Sequence, residues 1–127
     1  MAIKSLVESI VDRVGYKIEA TVDNNLGDLS VVVEQCVYRI AQEALTNIVD
    51  HAQAESAQLT LKREGALIKL VIADDGCGFD PTVLEELNNK YGLRGMRERA
   101  EMIGGDLSIE SQVGKGTKIM FSHGVNG

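Results

Sequence analysis

Histidine and cysteine are scarce in this chain: His51 and His123 are its only imidazoles, Cys36 and Cys77 its only thiols. Two distant histidines leave little room for a metal cage or for histidine-based acid–base work. The cysteines lack the close spacing of metal ligands, and the expectation is two reduced thiols in a cytoplasmic protein. No Gly-x-x-x-x-Gly-Lys-Ser/Thr phosphate loop and no Gly-x-Ser-x-Gly nucleophile turn occurs, so P-loop and serine-hydrolase chemistry are excluded. No apolar run approaches the roughly 18–20 residues of a membrane span, and no secretory leader is visible. Positive charge is short as well. Thirteen Lys and Arg face nineteen Asp and Glu, a net charge of −6, which argues against nonspecific attachment to nucleic acid or to an anionic membrane.

What is present suits one globular domain over residues 1–127. With 44% hydrophobic and 25% charged residues, the chain can build a core without metal or disulfide. In "IKSLVESIVDRVG", Ile3, Leu6, Val7, Ile10, Val11 and Val14 recur at three- and four-residue steps, which predicts an amphipathic helix ended by Gly15. "YKIEATVD" alternates as a half-buried strand does. From Ser30 as N-cap, "VVVEQCVYRIAQEALTNIVDHAQ" predicts one long helix burying Val33, Val37, Ile40, Ala41, Ala44, Leu45 and Ile48. "SAQLTLKRE" and "ALIKLVIAD" predict a hairpin turning at Glu64-Gly65.

Pro81 suits the first turn of a short helix, roughly 81–88. Another helix runs from about Leu93 to Ile103 and stops at Gly104-Gly105. "DLSIES" and "GTKIMFSH" close the chain as two strands around "QVGKG". The expected class is α+β: a two-layer α/β sandwich whose mixed, mainly antiparallel sheet carries its helices on one face. Any pocket then lies between helices and sheet, or at strand ends.

Four stretches hold residues able to do chemistry. Glu43, Asn47 and His51 recur at four-residue steps with Asp50 beside them, which sets a carboxylate, an amide and an imidazole along one helix stripe. That stripe is either a solvated face or the wall of a cavity. In "IADDGCGFD", Asp74 continues the inward row of Ile68, Leu70 and Ile72, whereas Asp75 turns the other way. An inward carboxylate needs a donor, either the amides of its own turn or an amino group on a ligand. In "YGLRGMRERAEMIGG", Gly92 and Gly95 flank a helix start, where free amides accept an anion. "GKGT" is either a plain hairpin turn or the opposite wall of the same pocket.

Together these stretches resemble the ATP-binding domains shared by gyrase, heat-shock chaperone ATPases, mismatch-repair proteins and histidine kinases, with their Bergerat-type fold. "EALTN" resembles the N box, "DDGCG" the Asp-x-Gly-x-Gly box, "GLRGM" the second glycine box and "GKGT" the last. Within that family, "AQEALTNIVDHAQA" followed by "YGLRGMRERAEMIGG" is similar to sensor histidine kinases of the nitrate/nitrite-sensor type, with a short ATP lid at about Phe79 to Tyr91.

The resemblance implies a protein-histidine kinase domain that uses ATP and Mg²⁺. Asp74 would accept from the adenine amino group, and Gly76 and Gly78 would let the nucleotide lie close. Asn47 would ligate Mg²⁺, Glu43 would help activate the acceptor or position the metal, and Asp50 and His51 would stand by the phosphates. The Gly92, Leu93, Arg94, Gly95 and Met96 amides would meet the phosphates, and Thr117 would assist at the adenine. Implied partners are a phosphoacceptor histidine on a dimerisation domain and the receiver domain of a response regulator, with no nucleic acid and no membrane contact.

Three departures stand out. Asp50 occupies a position where such kinases usually carry Lys or Arg, which makes phosphate binding less favourable unless Mg²⁺ screens it. Asn89 and Lys90 replace the glycine and histidine common before the second glycine box, and no acceptor helix pair precedes Met1. The expectation is therefore a catalytic domain without its acceptor. The rival readings are a nucleotide-gated interaction module without transfer activity and a serine kinase of the anti-sigma type.

Overall fold

A computed structural model describes residues 3–14, 17–23, 26–27, 29–78 and 92–124. Its elements are α1 (Ile3–Val14), β1 (Lys17–Val22), α2 (Val31–Asn47), a π-helical turn (Ile48–Ala52), β2 (Ser56–Glu64), β3 (Leu67–Asp74), α3 (Leu93–Met102), β4 (Asp106–Gln112) and β5 (Gly116–Gly124). The expected end of α1 at Gly15, the short helix over 81–88, the lid over 79–91, Asn89 and Lys90 lie outside the described residues.

Ser30 starts α2 as its spacing predicts, because its Oγ accepts from the Val33 amide at 3.2 Å. All seven apolar positions assigned to the inner face are buried, and Cys36 joins them. Burial pushes the Cys36 thiol up, against the nearby Arg99 charge. The single α-helix expected to run to Gln53 needs correction. Its last turn widens into a π-turn at Ile48, and Gln53, with φ of 53°, takes the left-handed conformation that stops it.

The sheet has the order β1-β2-β3-β5-β4. β1 and β2 are parallel, and the other three pairs are antiparallel. The parallel pair is the one joined by α2, since parallel strands require a crossover of that length. Directly opposed residues project to the same side, so the register builds inward rungs. Leu61, Leu70, Phe121 and Leu107 form one rung; Leu59, Ile72, Ile119 and Ile109 form the next. These pack with Val37, Ile40, Leu45, Leu93 and Met96 from the helices into one core. Each buried aliphatic side chain contributes about 1.5–3 kcal/mol, so these two rungs fix the register firmly.

At the far end of α3, the Gly104 amide donates to the Glu101 carbonyl at 3.0 Å and the Gly105 amide to the Ala100 carbonyl at 2.8 Å. With Gly104 at φ 74°, this pairing satisfies carbonyls that a helix end leaves open. His123 Nε2 lies 2.7 Å from the Ile103 carbonyl and holds the same end to β5. Among the described residues, no helix is long and apolar enough to cross a membrane.

Candidate functional site

One step beyond the rung of Ile72, Ile119 and Ile109, the inward row turns polar: Ala57, Asp74, Thr117 and Ser111 stand side by side across four strands. A cavity of about 570 Å³ opens there, lined by Asp74, Ile109, Ser111, Gly116 and Thr117 among others. Its lining is mixed: Ala73 and Ile109 are joined by the polar rung and by Glu110, Gln112, Lys115 and Lys118. A larger cavity of about 940 Å³ lies between α2 and α3, lined by Cys36, Arg39, Arg99 and Met102 among others, and includes none of the residues expected to hold nucleotide or metal.

Asp74 is half-buried, and the turn-amide reading of its carboxylate is the one seen. Its Oδ1 accepts from the Gly76 amide at 2.8 Å, the turn bond expected of an aspartate before glycine. Burial raises its pKa above the usual carboxylate range; the Gly76 amide opposes that rise, the Asp75 charge adds to it, and the Thr117 amide opposes it. Asp75 points the other way and does structural work. Its Oδ1 accepts from the Glu55 and Ser56 amides at 2.9 and 3.0 Å, and its Oδ2 from the Ser56 hydroxyl at 2.9 Å. Those bonds tie the start of β2 to the end of β3 and hold the Asp75 carboxyl below its ordinary range.

Glycines stitch the motif stretches to one another. A Cβ on Gly78, at φ 60°, would fall 2.0 Å from the Gln112 carbonyl oxygen. One on Gly116, at φ 83°, would fall 2.0 Å from the Asp74 carbonyl oxygen. The Gly114 amide donates to the Cys77 carbonyl at 2.7 Å. Gly78 is therefore required by contact with the β4–β5 hairpin, whatever lies in the cavity.

The N-box helix meets the second glycine box in the same manner. A Cβ on Gly92, at φ 68°, would fall 2.1 Å from Glu43 Oε1. Gly92 also caps α3 in the left-handed conformation, and its carbonyl accepts from the Met96 amide at 3.1 Å. Of the amides expected to face an anion, that of Met96 is thus committed within the helix, and those of Leu93, Arg94 and Gly95 belong to its first turn. The Leu93 and Met96 side chains are buried in the core. Arg94 is exposed and pairs with Glu98 at 3.4 Å, while Gly95 has open space beside it.

Asn47 is half-buried at the end of α2, and Asp50 is exposed on the π-turn. His51 sits on the same turn, and its side chain lies outside the described residues. Sequence spacing passed over Ser111, whose Oγ donates to the Gly116 carbonyl at 3.1 Å and lies 2.8 Å from Thr117 Oγ1. The available signal was the alternation Leu107, Ile109, Ser111, which mirrors Phe121, Ile119, Thr117 across the turn.

Residues 32–125 match the sequence profile of the histidine kinase-, DNA gyrase B- and HSP90-like ATPases. The signal transduction histidine-protein kinase/phosphatase DegS of Bacillus subtilis is 38% identical over 89 residues, which is 69% of this chain and 23% of DegS. A sensor-like histidine kinase of Chloroflexus aurantiacus is 34% identical over 128 residues, 92% of this chain and 21% of its own length. The chain thus spans under a quarter of the length of either relative. Among solved structures, the histidine kinase domain of the blue-light activated kinase EL346 from Erythrobacter litoralis has a TM-score of 0.84 at 20% identity, covering 97% of this chain and 59% of that one. The mycobacterial sensor histidine kinase MprB has a TM-score of 0.74 at 20% identity, covering 97% of this chain and 91% of that one. These two likenesses are of fold.

Proposed function

The chain belongs to the histidine kinase-, DNA gyrase B- and HSP90-like ATPase family, and from that premise we propose that residues 1–127 form the ATP-binding catalytic domain of a sensor histidine kinase. In this reading the domain transfers the γ-phosphoryl group of ATP to a histidine on separate dimerisation helices. From there the group passes to an aspartate of a response regulator. The resemblance to nitrate/nitrite sensors is part of the same proposal. The observation that carries it is the inward polar rung of Asp74, Thr117 and Ser111, one step beyond the apolar rung of Ile72, Ile119 and Ile109, beside the cavity at the end of β3.

Each residue has a role the geometry allows. Asp74 Oδ1 is engaged by the Gly76 amide, and the carboxylate's remaining lone pairs accept from the adenine amino group. Thr117 and the apolar rung seat the ring. Leu93, Arg94 and Gly95 offer first-turn amides to the phosphates, where the helix dipole favours negative charge. Asn47 supplies a hard amide oxygen one helical turn from Glu43, and that donor fits Mg²⁺, an ion that prefers a few protein oxygens together with phosphate oxygens. When bound, Mg²⁺ neutralises phosphate charge, which the Asp50 carboxylate otherwise opposes. Glu43 is set against Gly92, and in this reading it helps activate the acceptor or position the metal. Phosphoryl transfer depends chiefly on positioning and charge neutralisation, and this set of residues supplies those.

The test supplies ATP labelled at the γ-phosphate together with histidine-bearing dimerisation helices in trans. Label on the helices, labile to acid and stable to base, is the expected result. Label on this chain itself, or tight ATP binding without any transfer to the helices, would overturn the kinase reading.

A further inference from the structure

The larger cavity, between α2 and α3, takes no part in the reading above. The two helices touch where Gly92 meets Glu43, and beyond that contact the cavity follows α2 from Gln42 back to Val32. That stretch of helix is about 15 Å long, or about three turns. The lining of this groove mixes apolar and polar groups. Cys36 is buried and Ile103 half-buried, whereas Val32 is 58% exposed and Met102 85% exposed. Of the five large apolar side chains exposed among the described residues, these two line the groove and Val31 adjoins Val32. The other two, Leu67 and Val113, stand at hairpin turns. Exposed apolar side chains gathered in one concave place mark an interaction surface.

Charge decides which partner suits it. Arg39 on α2 and Arg99 on α3 stand on the two walls. Both are exposed, and neither makes an ion pair among the described residues, whereas Lys62, Lys69 and Arg94 each have a carboxylate partner. Glu34 is the one carboxylate of the described lining, and it pairs with neither guanidinium. A second copy of this chain, docked symmetrically, would set these arginines against themselves. An anionic membrane offers a flat surface to a concave groove and repels a net charge of −6. A helix fits lengthwise between two helices and carries an apolar and a charged stripe at once. We propose that this groove docks an amphipathic, acidic helix of a partner protein, with its aliphatic stripe between Val32, Ile103 and Met102 and its carboxylates on Arg39 and Arg99. The inference stands apart from the nucleotide reading, because the lining includes none of the residues expected to hold nucleotide or metal.

The probes are two designed, dye-labelled helices of about five turns with leucines at three- and four-residue steps. One carries Glu on both flanks of the leucine stripe, the other Lys. Anisotropy gives their affinities, and methionine methyl resonances of the labelled chain give the place. Met102 lies in the groove, Met96 is buried in the core, and Met120, next to the inward Phe121, points to the opposite face of the sheet. The Glu helix should bind saturably and shift the Met102 resonance while leaving Met120 unmoved. The Lys helix should bind at least about tenfold more weakly, with the gap narrowing as salt is raised. Arg39→Glu combined with Arg99→Glu should invert that preference. Met102→Asp should weaken the Glu helix by at least about tenfold. ADP affinity should be unchanged in each variant.

No binding of the Glu helix by wild type would overturn the proposal, as would equal affinity for the two helices or a shift at Met120 in place of Met102. So would a dimer of the chain alone that Met102→Asp dissolves, since the occupant would then be a second copy. Binding to phosphatidylglycerol vesicles that shifts Met102 would assign the groove to a membrane and overturn it too. Should wild type bind the Glu helix at Met102 but no ADP, the nucleotide reading falls alone and the docking groove stands.

Discussion

Asp74 and Asp75 are adjacent carboxylates with opposite environments, and their pH behaviour should have opposite sign. Asp74 is raised by burial. Its contribution to stability is therefore present below the unfolded value of about 3.9 and lost as pH rises through the folded value. At neutral pH its charge is a liability that the fold tolerates. Asp74→Asn keeps an oxygen for the Gly76 amide while removing that charge, so thermal melts at pH 7 should show stability equal to or above wild type. Any advantage should shrink as pH falls through the raised folded value and be gone below the unfolded value of about 3.9. ADP affinity should fall by about tenfold or more, the weight of a hydrogen bond to a charged group. A variant that melts earlier yet binds ADP normally would contradict both halves.

Asp75 is lowered by its bonds to Ser56 and Glu55, so its stabilisation is present above about pH 3.9 and lost as pH falls through the depressed folded value. Asp75→Asn should melt earlier than wild type at pH 7, and the gap should close in acid. Strand alternation alone assigned Asp74 inward and Asp75 outward. The donors that Asp75 serves were hidden from that argument, because Ser56 lies nineteen residues away and only the register of β2 on β3 brings them together.

Among the elements, the β4–β5 hairpin decides the shape of the site, and its two glycines do different jobs. Gly114 has φ of 80° and open space around its Cβ position; Gly116 has φ of 83° and the Asp74 carbonyl oxygen at 2.0 Å. Gly114→Ala should cost only left-handed strain, about 1–2 kcal/mol. Gly116→Ala adds a backbone collision to the same strain and should cost at least about 3 kcal/mol. Denaturant unfolding of the two variants measures the difference, and equal losses would show that the contact of β5 with the end of β3 is not tight. Periodicity revealed α1, α2 as far as Asn47, α3, the two hairpins and the capping of α2 and α3, because those depend on neighbours in sequence. It did not reveal the π-turn after Asn47 or which strand pairs in parallel. The first is a local departure with no composition signal, and the second depends on how the crossover through α2 folds back.

At the scale of the whole molecule, the site is a junction rather than a pocket carved into one element. Glu43 on α2 meets Gly92 at the head of α3, and the Asp74–Gly78 loop meets the β4–β5 hairpin, each through glycines and backbone. A ligand that spans both contacts is held by stretches as far apart in the chain as Glu43 and Thr117, so its binding free energy should act on global unfolding. With ADP and Mg²⁺ at a hundred times the dissociation constant, linkage adds about 2.7 kcal/mol. For a domain of this size that should raise the melting temperature by on the order of 10 °C. The chain carries a net charge of −6 and the ligand is anionic, so leaving out Mg²⁺ should reduce the shift. The reduction should be greater at low ionic strength, where the repulsion is least screened. Scanning calorimetry across salt, with and without Mg²⁺, makes the comparison. An equal shift in wild type and Asp74→Asn would place the base away from the polar rung, because a ligand that ignores that carboxylate is not being read by it.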